Sequence, residues 1–285
     1  MSVRKEFNDA VSGYRAATGM AETARDLAPK FAPDLPDRQR RLITQLAQAA
    51  TVITPGWLGQ ALTRAAEKAP LGEAEGTHPL AVRIGQCDAG GDYAFPVVVN
   101  LLGTGHLFVD TDTEDPRVAS LLRTVLLRLL AARGADSCRP LMVDDGHETF
   151  TGFDQLARAG LATLVDSDNG LATALDLAEA HVEQAVGRSD ASDIPELILV
   201  APKTPAHLVD RLARLAAQAV GARLHLIVGG WPGPVVTAAT HVVVSDEVRV
   251  AGVAMPVDVD AADGDLVATV CRRMVDERRW FEEGL

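Results

Sequence analysis

From residue 80 onward, short apolar runs alternate with longer amphipathic stretches, and this alternation restricts the fold more than any other feature. Apolar runs such as HLFV at 106–109 and ELILVA at 196–201 have the length of buried strands. The stretches between the runs repeat apolar residues at helical spacing, as at Leu121, Leu122 and Val125. Strands that alternate with helices at this spacing predict an α/β domain with a mainly parallel sheet flanked by helices.

Two segments depart from the alternation and predict antiparallel hairpins. The runs LAVRIGQC at 80–87 and FPVVVNLL at 95–102 bracket the glycine-containing turn DAGGDY. The segment THVVVSDEVRVAG at 240–252 has two short apolar runs around a polar turn. We predict that each segment folds back on itself as a hairpin.

The residues before the α/β pattern predict a helical region instead of strands. Phe7, Val11 and Tyr14 fall on one helical face, and the segment that follows Lys68 has the composition of a linker. We therefore predict a helical N-terminal region over 1–68, a linker over 69–79 and the α/β domain over 80–285.

Composition and charge exclude several classes of protein. The net charge is −12, from 39 acidic and 27 basic residues, and such a chain repels the phosphate backbone of a nucleic acid. The first residues lack the apolar core of a signal peptide, and no uncharged stretch reaches the length of a membrane span. Cys87, Cys138 and Cys271 stand far apart, which indicates reduced thiols without a metal. We expect a cytoplasmic protein.

The turn that follows the apolar run HLFV is rich in carboxylates. A strand, a tight turn and a long amphipathic helix are the layout of a phosphate-binding loop, which uses glycines, a lysine and a Ser/Thr. The turn here consists of Asp110, Thr111, Asp112, Thr113, Glu114 and Asp115, followed by Pro116 and Arg117. Each carboxylate close to a phosphate repels it by roughly 1 kcal/mol even in bulk water. The turn therefore argues against a bound nucleotide.

Asp115 and Pro116 form a second obstacle to phosphate at the start of the following helix. Aspartate is a preferred N-cap and proline a preferred first helical residue. We expect the Asp115 carboxylate to accept hydrogen bonds from N–H groups that a phosphate takes in a phosphate-binding loop. The helix then caps itself, and no cofactor is expected.

The same acids allow a different chemistry. The segment FVDTDTE resembles the nucleophile motif of the haloacid-dehalogenase phosphatases, which implies Asp110 as the nucleophile, Asp112 as the acid/base and a bound magnesium ion. That family also needs a lysine and a later acidic pair. Asp144 and Asp145 form the only Asp-Asp pair, but they end the very next strand, and Lys203 comes after them. A calcium loop lacks its central glycine here.

The order of elements from Leu80 to Ser245 resembles the motor domain of the FtsK/SpoIIIE family, the hexameric RecA-like DNA translocases. In that family a hairpin precedes a strand, the Walker A loop and a leucine-rich helix, in the same order as the segment 80–130. The strand RPLMVDD at 139–145 is similar to the next strand of the family. The resemblance implies a RecA-like sheet and a protein of the P-loop NTPase fold.

Two further strands and the N-terminal helices extend the resemblance. The segment IPELILVAPK at 194–203 lies where the Walker B strand of the family ends in Asp-Glu. The segment RLHLIVGG at 223–230 is similar to the strand that leads to a sensing Gln-Arg. The N-terminal helices with PGWLG at 55–59 also resemble FtsK/SpoIIIE-related actinobacterial proteins.

The residues that carry catalysis in the family are replaced in this sequence. Thr111 to Arg117 occupy the Walker A positions, and Ala201 and Pro202 replace the Walker B acids that hold magnesium and activate water. Gly230 and Trp231 replace the sensing Gln-Arg. The resemblance therefore implies shared architecture without ATP hydrolysis.

We thus expect a catalytically inactive FtsK/SpoIIIE-like domain that acts as a structural or regulatory protein-interaction module. Its expected partner is a second copy of the chain or an active FtsK/SpoIIIE-type ATPase. The alternative is a metal-dependent phosphatase or nucleotide-binding enzyme that uses Asp110 and Asp112, with Asp144 as a further metal candidate. Trp231 either anchors a partner or closes the sheet by packing. His106 and His225, inside apolar strands, are expected to be hydrogen-bonded core residues.

Overall fold

The computed structural model of the chain describes most of the sequence. The described residues are 11–20, 22–23, 35–74, 80–88, 94–134, 137–143, 146, 149–165, 169–187 and 194–282. Phe7, Asp144 and Asp145, which the sequence analysis considered, lie outside these residues. Within the described part of the chain, no helix combines the length and the apolar character needed to cross a membrane.

Helices and strands follow one another in the predicted order. The helices are α1 (residues 11–20), α2 (Leu35–Ile53), α3 (Pro116–Arg133), α4 (Asp154–Arg158), α5 (Gly170–Val186), α6 (Val209–Ala219) and α7 (Gly264–Glu282). The strands are β1 (Ala81–Asp88), β2 (Ala94–Asn100), β3 (His106–Val109), β4 (Cys138–Val143), β5 (Thr163–Val165), β6 (Glu196–Ala201), β7 (Leu224–Val228), β8 (Ala239–Val244), β9 (Val248–Val250) and β10 (Asp258–Val259).

Among the described residues, seven strands form the central sheet, in the order β5-β4-β6-β7-β3-β8-β9. Every neighbouring pair is parallel except β8 and β9, which form the predicted hairpin. Strand β3 lies inside the sheet between β7 and β8, so the turn that follows it lies between the loops that follow β7 and β8. The prediction of a RecA-like, mainly parallel sheet flanked by helices is confirmed.

Different helices cover the two faces of this sheet. Helices α5 and α6 pack on one face, whereas α3 and α7 belong to the hydrophobic cluster on the other. Successive residues of β6 alternate between the clusters, because Ile198 and Val200 pack on the α3 side and Leu199 and Ala201 on the α5 side. A strand that is buried on both faces needs an apolar residue at every position, which explains the uninterrupted apolar runs in the sequence.

The first predicted hairpin, formed by β1 and β2, belongs to a separate small sheet. Strands β1 and β2 pair antiparallel, and β10 adds to the other side of β1. A Cβ on Gly85 would lie 2.2 Å from the carbonyl oxygen of Asp258, so only glycine permits β10 to approach β1 this closely. The hairpin is therefore correct, and its third strand comes from far along the chain.

The N-terminal helical region shares its hydrophobic core with the α/β elements. Tyr14, Leu46 and Trp57 are buried in the same cluster as the apolar face of α3. Residues 71–74, within the predicted linker, run beside the end of α3 and donate two backbone hydrogen bonds to its carbonyl oxygens. The boundary at 69–79 remains a prediction, and the packing across it is extensive.

Two buried arginines on α3 connect these parts of the molecule. The guanidinium of Arg128, which is 0% exposed, donates to the carbonyl oxygens of Trp57 and Gln60 at 2.9 and 2.8 Å, and it binds the Asp260 carboxylate at 2.7 Å. Burial lowers the pKa of Arg128 to about 10, so it remains charged at neutral pH. The charge inside the long apolar run of α3 is thus satisfied by Asp260 together with carbonyl oxygens of the segment before the α/β domain.

Arg133 makes the second connection, with Glu196 at the start of β6. Its guanidinium lies 2.9 Å from the Glu196 carboxylate, and the two side chains are only 2% and 1% exposed. Arg133 also donates to the carbonyl oxygen of Ala74. Arg133 therefore joins α3, the central sheet and the predicted linker.

The two strand histidines are hydrogen-bonded core residues, as predicted. The Nε2 atom of His106 lies 2.9 Å from the Ala216 carbonyl oxygen, and its Nδ1 accepts from the Leu226 N–H. Burial lowers the pKa of His106 to about 4. The Nδ1 atom of His225 lies 3.1 Å from the Gly105 carbonyl oxygen. Neither ring faces solvent, and both make their hydrogen bonds inside the protein.

Replacing Glu196 with glutamine should strongly destabilise the fold. The substitution leaves the buried charge of Arg133 without its carboxylate, and we expect the free energy of unfolding to fall by about 3–5 kcal/mol. Chemical denaturation measures this change. The matched control is Glu247→Gln, which breaks the Arg249 pair whose side chains are 54% and 51% exposed; we expect less than about 1 kcal/mol there. Equal effects of the two substitutions would contradict the prediction.

Candidate functional site

The turn of residues 110–115, called the acidic turn below, lies at the carboxyl edge of the parallel sheet, where open α/β sheets bind ligands. The loop after β7 contacts it directly. The N–H of Gly230 donates to the carbonyl oxygen of Thr111, and the N–H of Trp231 donates to that of Val109, both at 2.8 Å. The fold therefore brings together the segments that the sequence predicts to occupy the Walker A and sensor positions.

Ala201 and Pro202, which the sequence predicts to occupy the Walker B positions, belong to the same cluster. The N–H of Gly229 donates to the carbonyl oxygen of Ala201 at 2.7 Å, and the Thr204 hydroxyl donates to that of Gly229 at 2.9 Å. A Cβ on Gly229 would lie 2.5 Å from the Pro202 carbonyl oxygen. Gly230 has a φ of +61°, and a Cβ there would lie 3.1 Å from the Cβ of Asp112. These two glycines thus allow the loop after β7 to pack against the segment after β6 and against the acidic turn.

The predicted helix cap at Asp115 is present. Its Oδ1 accepts a hydrogen bond from the Arg117 N–H at 2.8 Å, and Pro116 is the first residue of α3. Asp112 satisfies two more N–H groups, because its Oδ1 accepts from Glu114 at 3.1 Å and its carbonyl oxygen accepts from Asp115 at 3.2 Å. Backbone donors that a phosphate would need are therefore already bound to the chain itself.

Arg117 stabilises the position of the Asp115 cap. Its guanidinium donates to both oxygens of Asp115, at 3.1 and 2.7 Å, and to the carbonyl oxygen of Ser245 at 2.7 Å. The hydrogen bond from Arg117 holds the pKa of the Asp115 carboxyl below its usual range. A two-point contact between arginine and a carboxylate fixes both side chains. The start of α3 is thereby tied to the loop between β8 and β9.

Lys203 lies against the acidic turn, and this contact was not predicted from the sequence. Its Nζ is 3.1 Å from the Asp112 carboxylate and 3.2 Å from that of Glu114. These two carboxylates raise the pKa of Lys203. Lys203 lies two residues beyond the end of β6, so the sequence places it at the carboxyl edge of the sheet, and the strand order brings it beside the acidic turn.

This lysine corrects the electrostatic argument drawn from the sequence. The sequence shows four carboxylates in the acidic turn and no cation within it. In the structure, Lys203 and Arg117 form ion pairs with three of the four: Asp112, Glu114 and Asp115. Repulsion of a phosphate is therefore weaker than the acidic residues alone suggest. The stronger obstacle is that the N–H groups at the start of α3 are occupied.

Asp110 and Asp112, the acids of the phosphatase interpretation, are bound to neighbouring groups. The Oδ1 atom of Asp110 accepts from the Val244 N–H at 2.9 Å and from the Thr111 hydroxyl at 3.0 Å. Asp112 holds the Glu114 N–H and Lys203. In the part of the chain that the structure describes, no three potential ligands gather in a group that could hold a metal. In this conformation both acids act as hydrogen-bond acceptors for the fold.

Trp231 is an internal part of the sheet and not an exposed anchor. Its side chain is 4% exposed, its ring centre is 4.6 Å from that of Phe108, and its Nε1 donates to the Pro234 carbonyl oxygen at 3.0 Å. The packed interpretation of Trp231 is thus the one the structure supports. Its apolar ring gains more from contact with Phe108 than from water.

Comparison with known proteins gives matches in structure only. No family model and no curated protein matches the chain. Among solved structures, the cytoplasmic domain of the Thermomonospora curvata type VII secretion ATPase EccC superposes with a TM-score of 0.55 at 17% identity, over 86% of this chain and 37% of that one. This chain has the fold of a type VII secretion ATPase domain.

Two further structures have the same fold. EssC from Geobacillus thermodenitrificans (ATPases 2 and 3) has a TM-score of 0.50 at 11% identity and covers 71% of this chain. Thermomonospora curvata EccC (ATPases 2 and 3) in complex with a signal sequence peptide has a TM-score of 0.50 at 16% identity and covers 74%. The chain spans 49% and 50% of these two structures. EccC and EssC ATPase domains are FtsK/SpoIIIE-type P-loop NTPases, so the resemblance seen in the sequence is confirmed for the fold.

Removing the cap should destabilise the start of α3. In Asp115→Ala the Arg117 N–H loses its acceptor, and we expect the free energy of unfolding to fall by about 1 kcal/mol in chemical denaturation. The control is Asp210→Ala in the first turn of α6, where no side chain caps the helix. That change alters only the interaction with the helix dipole and should cost less.

The contribution of the ionised Asp115 carboxylate should also depend on pH. Its pKa is lower in the folded chain than the usual value of about 3.9 in an unfolded one. The stabilisation is therefore complete above that value and is lost as pH falls through the folded pKa. The difference in stability between wild type and Asp115→Asn, measured across this range, should shrink at low pH. A constant difference would contradict this assignment.

Proposed function

We propose that this chain is an FtsK/SpoIIIE-like domain that binds no nucleotide and acts as a structural or regulatory protein-interaction module. One observation carries the proposal. At the start of α3, where this fold binds phosphate, the Arg117 N–H is bound by Asp115 and that of Glu114 by Asp112. A triphosphate would have to displace these contacts before it gained any of its own.

The composition of the site supports the same conclusion. The positions that supply a magnesium ligand and a catalytic base in the family are Ala201, which is 0% exposed, and Pro202. Neither side chain can bind a metal or accept a proton. Gly230 and Trp231, in place of the sensing pair, use their N–H groups to hold Thr111 of the acidic turn and Val109 at the end of β3. The site retains the shape of its relatives and lacks their reactive groups.

The comparisons support a role beside an active ATPase. The two structures that carry ATPases 2 and 3 in one chain are matched over about half their length, as expected if this chain corresponds to one ATPase domain. A domain of this fold that has lost its reactive groups can still keep the surface through which such domains pack. We therefore propose a second copy, or an active FtsK/SpoIIIE-type ATPase, as the partner, and the cytoplasm as the location. Membership of an actinobacterial group remains a prediction.

The proposal predicts that Mg-ATP leaves the thermal stability unchanged. A ligand present at 100 times its dissociation constant stabilises a protein by about 2.7 kcal/mol, which raises the melting temperature by roughly 5 °C or more for a chain of this size. We expect no rise with ATP or ADP in wild type. We expect none in Asp115→Ala either, because that variant still lacks the glycines and the lysine of a phosphate-binding loop. Micromolar binding by calorimetry would overturn the proposal.

The same preparation distinguishes the phosphatase alternative. That mechanism requires magnesium-dependent hydrolysis of a phosphate ester such as p-nitrophenyl phosphate, and loss of the activity in Asp110→Asn. Under our proposal, wild type and variant are equally inactive. The variant instead weakens the contact with the Val244 N–H, which a small decrease in melting temperature would report.

The proposed partner predicts a change in molecular mass in solution. A single chain has a mass of 30.1 kDa. In sedimentation velocity we expect a larger species, either from the chain alone at micromolar concentration or after an active FtsK/SpoIIIE-type ATPase domain is added. Sedimentation of a 30.1 kDa monomer under both conditions would contradict the interaction role and leave the absence of nucleotide binding intact.

A further inference from the structure

A second concave site lies at the opposite end of the central sheet from the acidic turn. This edge pocket has a volume of about 340 Å³ and lies among the starts of β4, β5 and β6 and the second half of α5. Its lining includes Arg139 of β4, Thr163 of β5, and Leu177 and Gln184 of α5. Since these strands are parallel, their amino ends lie away from the edge that carries the acidic turn. The volume is within the range typical of small-molecule sites.

The walls of the edge pocket are apolar and incompletely covered. Leu161 and Leu197 are half-buried, and the side chain of Leu177 is 47% exposed, among the highest values for large apolar side chains in the described part of the chain. Apolar side chains of this size normally gain free energy by leaving water. A ligand with a hydrocarbon body would cover them.

The polar groups of the edge pocket are cationic or neutral. No carboxylate belongs to its lining among the described residues. Arg139 is the exposed position of an otherwise buried strand, and no hydrogen bond or ion pair holds its guanidinium within the described part of the chain. Thr163 and Gln184 likewise offer hydrogen-bonding groups at the same pocket. A lining with an arginine and no carboxylate favours an anion over a cation, although the chain as a whole is acidic.

A second cleft on the same side of the sheet differs from the edge pocket because carboxylates belong to its lining. The cleft between α5 and α6 is lined by Arg214 together with Glu179 and Glu183. Its positive charge is balanced inside the cleft, so an anion gains little there. The edge pocket lacks such carboxylates in the described residues and has the larger volume.

We propose that the edge pocket binds an aliphatic carboxylate. The hydrocarbon part lies against Leu161, Leu177 and Leu197, and the carboxylate accepts two parallel hydrogen bonds from the Arg139 guanidinium. Gln184 donates a further hydrogen bond to the carboxylate. This site uses none of the residues of the acidic turn, so the proposal is independent of the proposed function.

Titration with decanoate, below the concentration at which it forms micelles, tests the proposal. We expect saturable binding of one decanoate per chain by calorimetry, with shifts of the amide resonances of Thr163 and Leu177 in NMR spectra. Decyltrimethylammonium has the same hydrocarbon chain and the opposite charge, and it should bind at least about tenfold more weakly because it repels Arg139. Equal affinity for the two, or decanoate binding that never saturates, would overturn the proposal.

Two matched variants locate the site. Arg139→Gln should weaken decanoate at least about tenfold, since it removes a charge-assisted contact. Arg214→Gln removes an exposed arginine from the neighbouring cleft and should change the affinity less than about twofold. Both substitutions are at exposed positions, and unchanged melting temperatures verify that the variants are folded. Equal loss of affinity in the two variants would show that decanoate responds only to the overall charge.

Discussion

The first N–H groups of α3 must find acceptors, because the helix begins where the acidic turn, β8 and the loop after β7 converge. In a phosphate-binding loop the ligand supplies them. Here the Asp115 carboxylate supplies one, to the Arg117 N–H, and Arg117 fixes that carboxylate with its guanidinium. Asp112 accepts from Glu114 and Asp115, just before the helix. The turn, the helix start and the loop after β8 are thereby one hydrogen-bonded unit. The acceptors at this helix start therefore come from the chain itself.

Helix α3 has an equally central role in the packing. It covers one face of the sheet and is buried along most of its length, including Arg128 and Arg133. Two buried guanidinium groups are costly unless carboxylates and carbonyl oxygens surround them. Their acceptors come from Asp260 and Glu196, and from the backbone of the N-terminal region. The helix therefore specifies how the N-terminal segment, the small sheet and the central sheet fit together.

The two ends of the central sheet differ in what they offer a ligand. At the carboxyl edge, Lys203 and Arg117 compensate three carboxylates, and the glycine loop after β7 packs onto the acidic turn. At the amino edge, Arg139 and four leucines border a pocket with no carboxylate among its described residues. Proteins of this fold use the carboxyl edge for nucleotide chemistry. In this chain the carboxyl edge is occupied by hydrogen bonds between its own loops, and the amino edge carries an open pocket.

The sequence by itself determined the features that depend on neighbouring residues. The apolar runs identified the buried strands, helical spacing identified α3, and the adjacent pair Asp115 and Pro116 identified the cap, since all three follow from local geometry. Only the tertiary structure decided which distant groups meet. It placed Lys203 beside Asp112, buried Trp231 against Phe108 and added β10 to β1. Those contacts depend on the order of strands in the sheet, and no local pattern of residues specifies that order.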